Sequence, residues 1–123
     1  MRMRVIQRDD QLTHVEFDGD LDIAGTQQID VEFHGAVASR RRPTIVDMSK
    51  VANVGSLGMG MLAACAGSLG RHGAKLVLLN PQPMVEQLFH VIALDSVMPI
   101  AHSLDEAKKL LKATGAAGQS SSG

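Results

Sequence analysis

The sequence predicts an α/β domain with a mixed sheet of four to five strands, parallel at its centre and antiparallel at one edge, packed with about four helices. Three observations carry this reading. Two short strand-like segments near the N-terminus are separated by the polar turn Asp9-Asp10-Gln11, which reads as a hairpin on a sheet edge. From Thr44 onward strand and helix patterns alternate, the order that builds a parallel sheet. Lys75-Leu76-Val77-Leu78-Leu79 is a continuous apolar run bounded by glycine and Asn80-Pro81, as expected of a central strand covered by helices.

In chain order, Val5 to Arg8 forms a short edge strand. Between Leu12 and Phe17, residues Thr13, Val15 and Phe17 alternate with His14 and Glu16, the period-two mark of a half-buried strand. Gly19-Asp20-Leu21-Asp22 is a loop. An amphipathic helix follows from Ile23-Ala24, with Ile29, Phe33 and Val37 at helical spacing. Arg40, Arg41 and Arg42 close that helix and Pro43 stops it, since cations are favourable at a helix C-terminus. The alternative for the arginine run is a patch for phosphate or an acidic partner, against the solvated helix end that charge runs usually are.

Ile45 and Val46 mark a buried strand, and a second apolar rise comes at Val51 and Val54. A glycine-punctuated helix then runs from about Ser56 to Arg71. Its stripe steps by four through Leu57, Met61, Cys65 and Leu69, widened by Leu62 and Ala66, which makes Cys65 a small core residue. Gly73 terminates it. Pro81 and Pro83 introduce a third helix with Val85, Leu88, Phe89 and Ile92 on one face, and Met98 to Ala101 is a last short extended piece. Ser103 and Glu106 form a capping box that opens a final helix to about Lys112. The domain therefore spans 1–112, and the Ala, Gly, Gln and Ser composition of 113–123 reads as a disordered tail.

With 123 residues, 45% of them hydrophobic and 20% charged, the chain is one globular domain able to bury a core without disulfides or metals. Phe17, Phe33 and Phe89 are its only aromatics, so the core is aliphatic and platforms for stacking single-stranded bases are missing. A formal net charge of −1 suggests neither nucleic acid nor an anionic membrane. The single Cys65 excludes an internal disulfide and fits a reducing cytosol. No run approaches a transmembrane helix and the N-terminus has no apolar signal region. The expectation is a soluble cytoplasmic protein with no nucleic-acid partner and no membrane insertion.

The chemistry concentrates between Thr44 and Leu62. Ser56 stands at a helix entry, where it can cap free amides or present its hydroxyl to another molecule. Val54-Gly55-Ser56-Leu57-Gly58 is a near miss to the G-x-S-x-G nucleophile elbow, and Asp95 and His102 follow in triad order. The chain is too short for that fold, no oxyanion-hole motif precedes the serine, and chance order explains three common residues. Gly55, Gly58 and Gly60 could admit a phosphate, but Met61 stands where a Walker lysine is needed and the Rossmann spacing is wrong. A tight turn and close helix packing explain these glycines instead. His14, His34, His72, His90 and His102 are scattered, with no pair at ligand spacing. No metal, cofactor or catalytic residue is expected. What remains is a protein-binding surface switched by modification. Phosphorylation of Ser56 adds about −1.5 to −2 charges, which a helix N-terminus tolerates and a partner burying the bare serine does not.

The segment Asp47-Met48-Ser49-Lys50-Val51, followed by Gly55-Ser56-Leu57-Gly58-Met59-Gly60, resembles the signature of STAS domains, whose usual form is D-L-S-G-V-x-F-x-D-S-S-G-L-G. These are the sulfate-transporter and anti-sigma-factor-antagonist domains. Asp47, Ser49, Val51, Ser56, Gly58 and Gly60 match, and Met48 and Met59 stand in for leucines. Gly55 replaces the usual aspartate and Leu57 the second serine. Gly19-Asp20-Leu21-Asp22, Asn80-Pro81-Gln82-Pro83 and Leu88 through Leu94 also resemble family segments, so the likeness covers about residues 3 to 112.

The resemblance implies a STAS fold and, most closely, a stand-alone bacterial anti-sigma factor antagonist that acts in transcription regulation and is not an enzyme. Such a protein binds an anti-sigma factor serine kinase and so frees a sigma factor. The kinase switches it off by phosphorylating the serine aligned with Ser56, and a phosphatase restores it. The implied partner-binding residues are Asp20, Asp22, Gly55, Ser56, Leu57, Gly58 and Met59. The alternative is a non-phosphorylated STAS interaction module of a transporter, a lipid-trafficking complex or a stress-signalling scaffold. Gly55 bears on that choice, because it removes a negative charge from the interface.

Overall fold

The apolar runs at 44–50 and 76–79 pair in parallel at the centre of a five-stranded sheet. The structure, a computed structural model, describes residues 1–112. Its strands are β1 (Arg2–Arg8), β2 (Thr13–Asp18), β3 (Thr44–Lys50), β4 (Leu76–Leu79) and β5 (Ile100–Ala101), in spatial order β1-β2-β3-β4-β5. β1 and β2 are antiparallel, and the remaining neighbours are parallel. Helices α1 (Ile23–Ala36), α2 (Ser56–Gly70) and α3 (Pro83–Val91) are joined by α4 at 104–112. This is the expected mixed sheet with a parallel centre, an antiparallel edge and four helices. The tail expected at 113–123 lies outside the described residues.

Both faces of the sheet are covered. One carries Val15, Phe17, Val46, Met48, Leu76 and Leu78, which join a single core with α1, α2 and α3 through Ile29, Phe33, Leu62, Leu69, Val85 and Phe89. Phe17 and Phe33 meet edge to face with ring centroids 5.3 Å apart. The other face is smaller. Leu12, Ile45, Val77 and Leu79 pack there against Ala107, Leu110 and Leu111 of α4. Cys65 is buried, and burial pushes its thiol up to about 12, so it stays protonated and inert.

Several elements differ from the sequence expectation, each for a local reason. β1 starts at Arg2 and not Val5, because β2 offers it a full-length antiparallel partner from Arg2↔Asp18 to Arg8↔Thr13. β2 is buried on both faces and not half-buried: Glu16 is covered where Arg4 and Lys50 both reach its Oε1, at 3.2 and 3.4 Å. α1 ends at Ala36, before the arginines. A 3-10 turn at Ala38–Arg40 follows, and Arg41 takes a left-handed conformation with φ 58°. Arg40 is then free to reach the β1–β2 turn, donating from Nε to Thr13 Oγ1 at 3.1 Å and from its other end to the Asp9 carbonyl. In α2 the buried stripe is Gly58, Leu62, Cys65, Ala66 and Leu69, which leaves Leu57 exposed. In α3 only Val85 and Phe89 are buried, and Ile92 is exposed. The capping box forms with one shift: Ser103 Oγ accepts from Glu106 N at 3.1 Å, but Glu106 Oε1 accepts from His102 N and not from Ser103 N.

Because β2 to β5 run in one direction, the sheet has two unlike edges. At the carboxyl edge the chain leaves each parallel strand for the start of a helix. At the amino edge lie the β1–β2 turn, the residues before β3 and the end of α2.

Candidate functional site

At the carboxyl edge two connections are zipped together. Leu21, fully buried between β2 and α1, forms an isolated parallel bridge with Val54 between β3 and α2. Leu21 N donates to Asn53 O at 2.8 Å and Gly55 N donates to Leu21 O at 2.9 Å. Asn53 Nδ2 adds a bond to Asp20 Oδ1 at 3.0 Å, and Gly19 N donates to Lys50 O at 3.1 Å. The starts of α1 and α2 are therefore held side by side.

Two glycines make this approach possible. A Cβ on Gly58 would stand 2.6 Å from Leu21 Cγ and 2.8 Å from Leu21 O, and one on Gly25 would overlap the Asp20 carbonyl. Gly60 is different, since a Cβ there meets nothing within 4 Å. Close packing therefore explains Gly25 and Gly58 but not Gly60.

Asp22 caps α1, its Oδ1 accepting from Gly25 N at 2.7 Å, and it remains exposed. The cap of α2 is Gly55, not Ser56. Gly55 is still extended, with φ −97° and ψ 176°, while its carbonyl already accepts from Met59 N at 3.0 Å. Ser56 is thus the first helical residue, one position past the cap, and makes no capping bond. Its side chain is exposed, and its hydroxyl has no hydrogen-bond partner among the described residues. Among the described residues no base lies within hydrogen-bond distance of this hydroxyl to activate it as a nucleophile.

The motif's other polar residues shape the backbone. Asp47 Oδ1 accepts from Ser49 N at 2.9 Å as β3 ends, and Ser49 O accepts from Gln82 Nε2 at 3.1 Å, tying the start of α3 to the same edge. Of the residues expected to bind a partner, Asp20, Asp22, Ser56 and Leu57 are exposed, Gly55 and Met59 are half-buried, and Gly58 is buried. Gly58 sets spacing and offers no contact surface. Two exposed apolar side chains at this edge escaped the sequence reading: Ile23, 67% exposed beside Asp22, and Met84, 82% exposed at the start of α3. The available signal for Met84 was its place next to, and not on, the Val85–Phe89 stripe.

The hydrolase-like order Ser56, Asp95, His102 does not assemble. Asp95 Oδ2 pairs with His90 Nδ1 at 2.6 Å, and His102 Nε2 with Glu86 Oε1 at 2.9 Å. His90 Nε2 approaches the same Glu86 at 3.4 Å, so two histidines that are scattered in sequence meet on one carboxylate. Hydrogen bonds to Asp95 and then Glu86 raise the His90 pKa, the bond to Glu86 raises that of His102, and the bond from His102 lowers that of Glu86. Among the described residues no group of three or more His, Cys, Asp or Glu is arranged to hold a metal ion. No helix among them is long and apolar enough to cross a membrane.

This mixed sheet with one antiparallel edge and helices on both faces matches the STAS fold. The STAS domain model matches residues 3–107, and the chain belongs to the STAS domain family. It is 24% identical over 94 residues to a Bordetella bronchiseptica protein described as a candidate anti-sigma factor antagonist, BtrV, covering 76% of this chain and 81% of that one. Its fold is similar to TM1081 of Thermotoga maritima, a candidate anti-sigma factor antagonist, with TM-score 0.77 and 17% identity over 90% of this chain and 93% of that one. It is also similar to the anti-sigma factor antagonist SpoIIAA of Bacillus. Against the unphosphorylated form the TM-score is 0.72, with 19% identity, covering 89% and 96% of the two chains. Against the phosphorylated form it is 0.63, with 20% identity, covering 89% and 99%.

Proposed function

We propose that this protein is an anti-sigma factor antagonist of the bacterial cytoplasm, which binds an anti-sigma factor serine kinase through the carboxyl edge of its sheet and is switched off by phosphorylation of Ser56. The observation that carries this reading is the free Ser56 hydroxyl: exposed, first in α2, and not spent on capping. A kinase active site can reach it without unfolding the helix. The added charge of about −1.5 to −2 sits favourably at the N-terminus of α2. A partner seated over Leu57, Ile23 and Met84 would then meet a dianion where it had met a hydroxyl. Asp20 and Asp22 already make that edge acidic, and a partner that buries the bare serine against an apolar or acidic surface does not accommodate the added charge. The domain itself carries out no reaction; the chemistry belongs to the kinase and to a phosphatase that resets Ser56.

The test is affinity isolation of the tagged protein from the cells that make it, followed by mass spectrometry of partners and of the protein itself. An ATP-binding serine kinase among the partners, with phosphate mapped to Ser56, is the expected result. Recovery of a transporter ATPase or a lipid-trafficking subunit, with Ser56 unmodified under every condition, would contradict it.

A further inference from the structure

The formal net charge of −1 hides a separation of charge along the strands. All of the twelve Lys and Arg residues except Arg2, Arg4 and Lys50 lie toward the amino edge of the sheet. The contacts that bring them together are backbone ones. Thr13 N donates to Pro43 O at 2.9 Å and Thr44 N to Lys75 O at 2.9 Å, which places Arg8, Arg41, Arg42 and Lys75 around the starts of three strands. α4 descends the other face of the sheet and brings Lys108 and Lys112 to the same end. Arg40 is spent on Thr13 and Asp9, but Arg8, Arg41, Arg42, Lys108 and Lys112 are exposed and form no ion pair among the described residues. The acidic residues beside these five cations are Asp9 and Asp10 of the β1–β2 turn, and Asp9 already accepts from the amides of Gln11 and Leu12 at 2.9 and 3.0 Å; Asp30 lines a separate recess with Arg71.

Between the two lysines lies a recess of about 410 Å³ floored by Leu12, Pro43 and Leu111 and rimmed by Gln7 and Gln11. Cations around an apolar slot favour one class of ligand. A nucleic acid presents phosphates without aliphatic chains, and the three phenylalanines that might stack on bases are all buried. A phospholipid presents a phosphate joined directly to apolar chain. We propose that the amino edge of this domain docks on the surface of an anionic phospholipid bilayer, with lipid phosphates on Lys108, Lys112, Arg41 and Arg42 and apolar chain entering the Leu12–Leu111 recess. The Ser56 edge then faces away from the membrane, open to its protein partner.

The full-length chain is sedimented with vesicles of phosphatidylcholine alone and of phosphatidylcholine with phosphatidylserine. Retention on the anionic vesicles alone, weakened by salt, is expected. The double variant Arg41→Gln/Arg42→Gln should lower the partition constant roughly twenty-five-fold, taking about fivefold for each cation near an anionic surface. Its unfolding midpoint should stay unchanged, because neither side chain has a partner to lose. Ser56→Glu, at the opposite edge, should leave vesicle binding intact. Equal retention on both vesicle types, indifference to the double variant, or loss on Ser56→Glu would overturn the proposal. Binding of duplex DNA as tightly as anionic vesicles at the same salt would also overturn it, by making the patch a general polyanion site.

Discussion

The two edges of the sheet are built by different physics. At the carboxyl edge the position of Ser56 depends on atoms that are missing. Gly25 and Gly58 have no Cβ where the Asp20 carbonyl and the Leu21 side chain must pass, and the backbone of Leu21 bonds on both sides to the connection that starts α2. At the amino edge Arg40 ties the β1–β2 turn, but Arg8, Arg41, Arg42, Lys108 and Lys112 are exposed and form no ion pair among the described residues, so little of the fold rests on them. Substitutions at the first edge should therefore act through structure, and at the second through the electrostatic field.

The strongest way to break the comparison is within α2 itself. Gly58→Ala should cost about 2 to 3 kcal/mol of unfolding free energy, since its methyl overlaps both the side chain and the backbone carbonyl of Leu21. Gly60→Ala, two residues further on and facing open space, should instead gain up to about 1 kcal/mol from the better helix propensity of alanine. Denaturant unfolding of both variants measures this. Effects of the same sign would mean that α2 does not press on Leu21 as described.

A second contrast lies in the histidines and concerns the sign of the pH dependence. Burial lowers the pKa of His14, whose Nε2 has no partner, with Asp47 and Glu16 opposing that shift and Lys108 adding to it. The unfolded chain then takes up a proton that the native state resists, so stability contributed by His14 is lost as pH falls below about 6.5. His90 and His102 have raised values, so their contribution is complete below about 6.5 and is lost as pH rises through those raised values. Unfolding midpoints between pH 5 and pH 8 should show the alkaline loss removed in His90→Gln/His102→Gln while the acid loss remains. The acid loss should be reduced in His14→Gln.

The smallest effect is expected at Ser56. Ser56→Ala should change stability by less than about 0.5 kcal/mol, because an exposed, unbonded hydroxyl is removed. A serine that capped α2 would cost about 1 kcal/mol. Thermal unfolding of this one variant separates the two.

The fold was legible in the sequence because its strongest signals are long and periodic. The run at 75–79 contains the buried β4 at Leu76–Leu79, and the hairpin turn, the glycine after α2 and Pro83 at the start of α3 stand where they were expected. What the sequence concealed were features decided by a single residue's geometry or by distant partners. The cap of α2 moved from Ser56 to Gly55 because the chain stays extended one residue less than a serine cap requires. The arginines stand beyond the end of α1, on a 3-10 turn from which Arg40 reaches a turn 31 residues earlier. His90 and His102 meet on Glu86 only because β5 returns the chain to α3. Net charge, being a sum, carried no trace of the two poles.

The central claim is that the Ser56 edge is a protein-binding face whose affinity is set by the charge on that serine. The most direct measurement is a calorimetric titration of the recovered serine kinase with the wild-type protein and with Ser56→Glu, after confirming equal stability. Like charge introduced into such an interface should weaken binding on the order of a thousandfold. Equal affinity for the two proteins would contradict the account and leave Ser56 as an incidental surface residue.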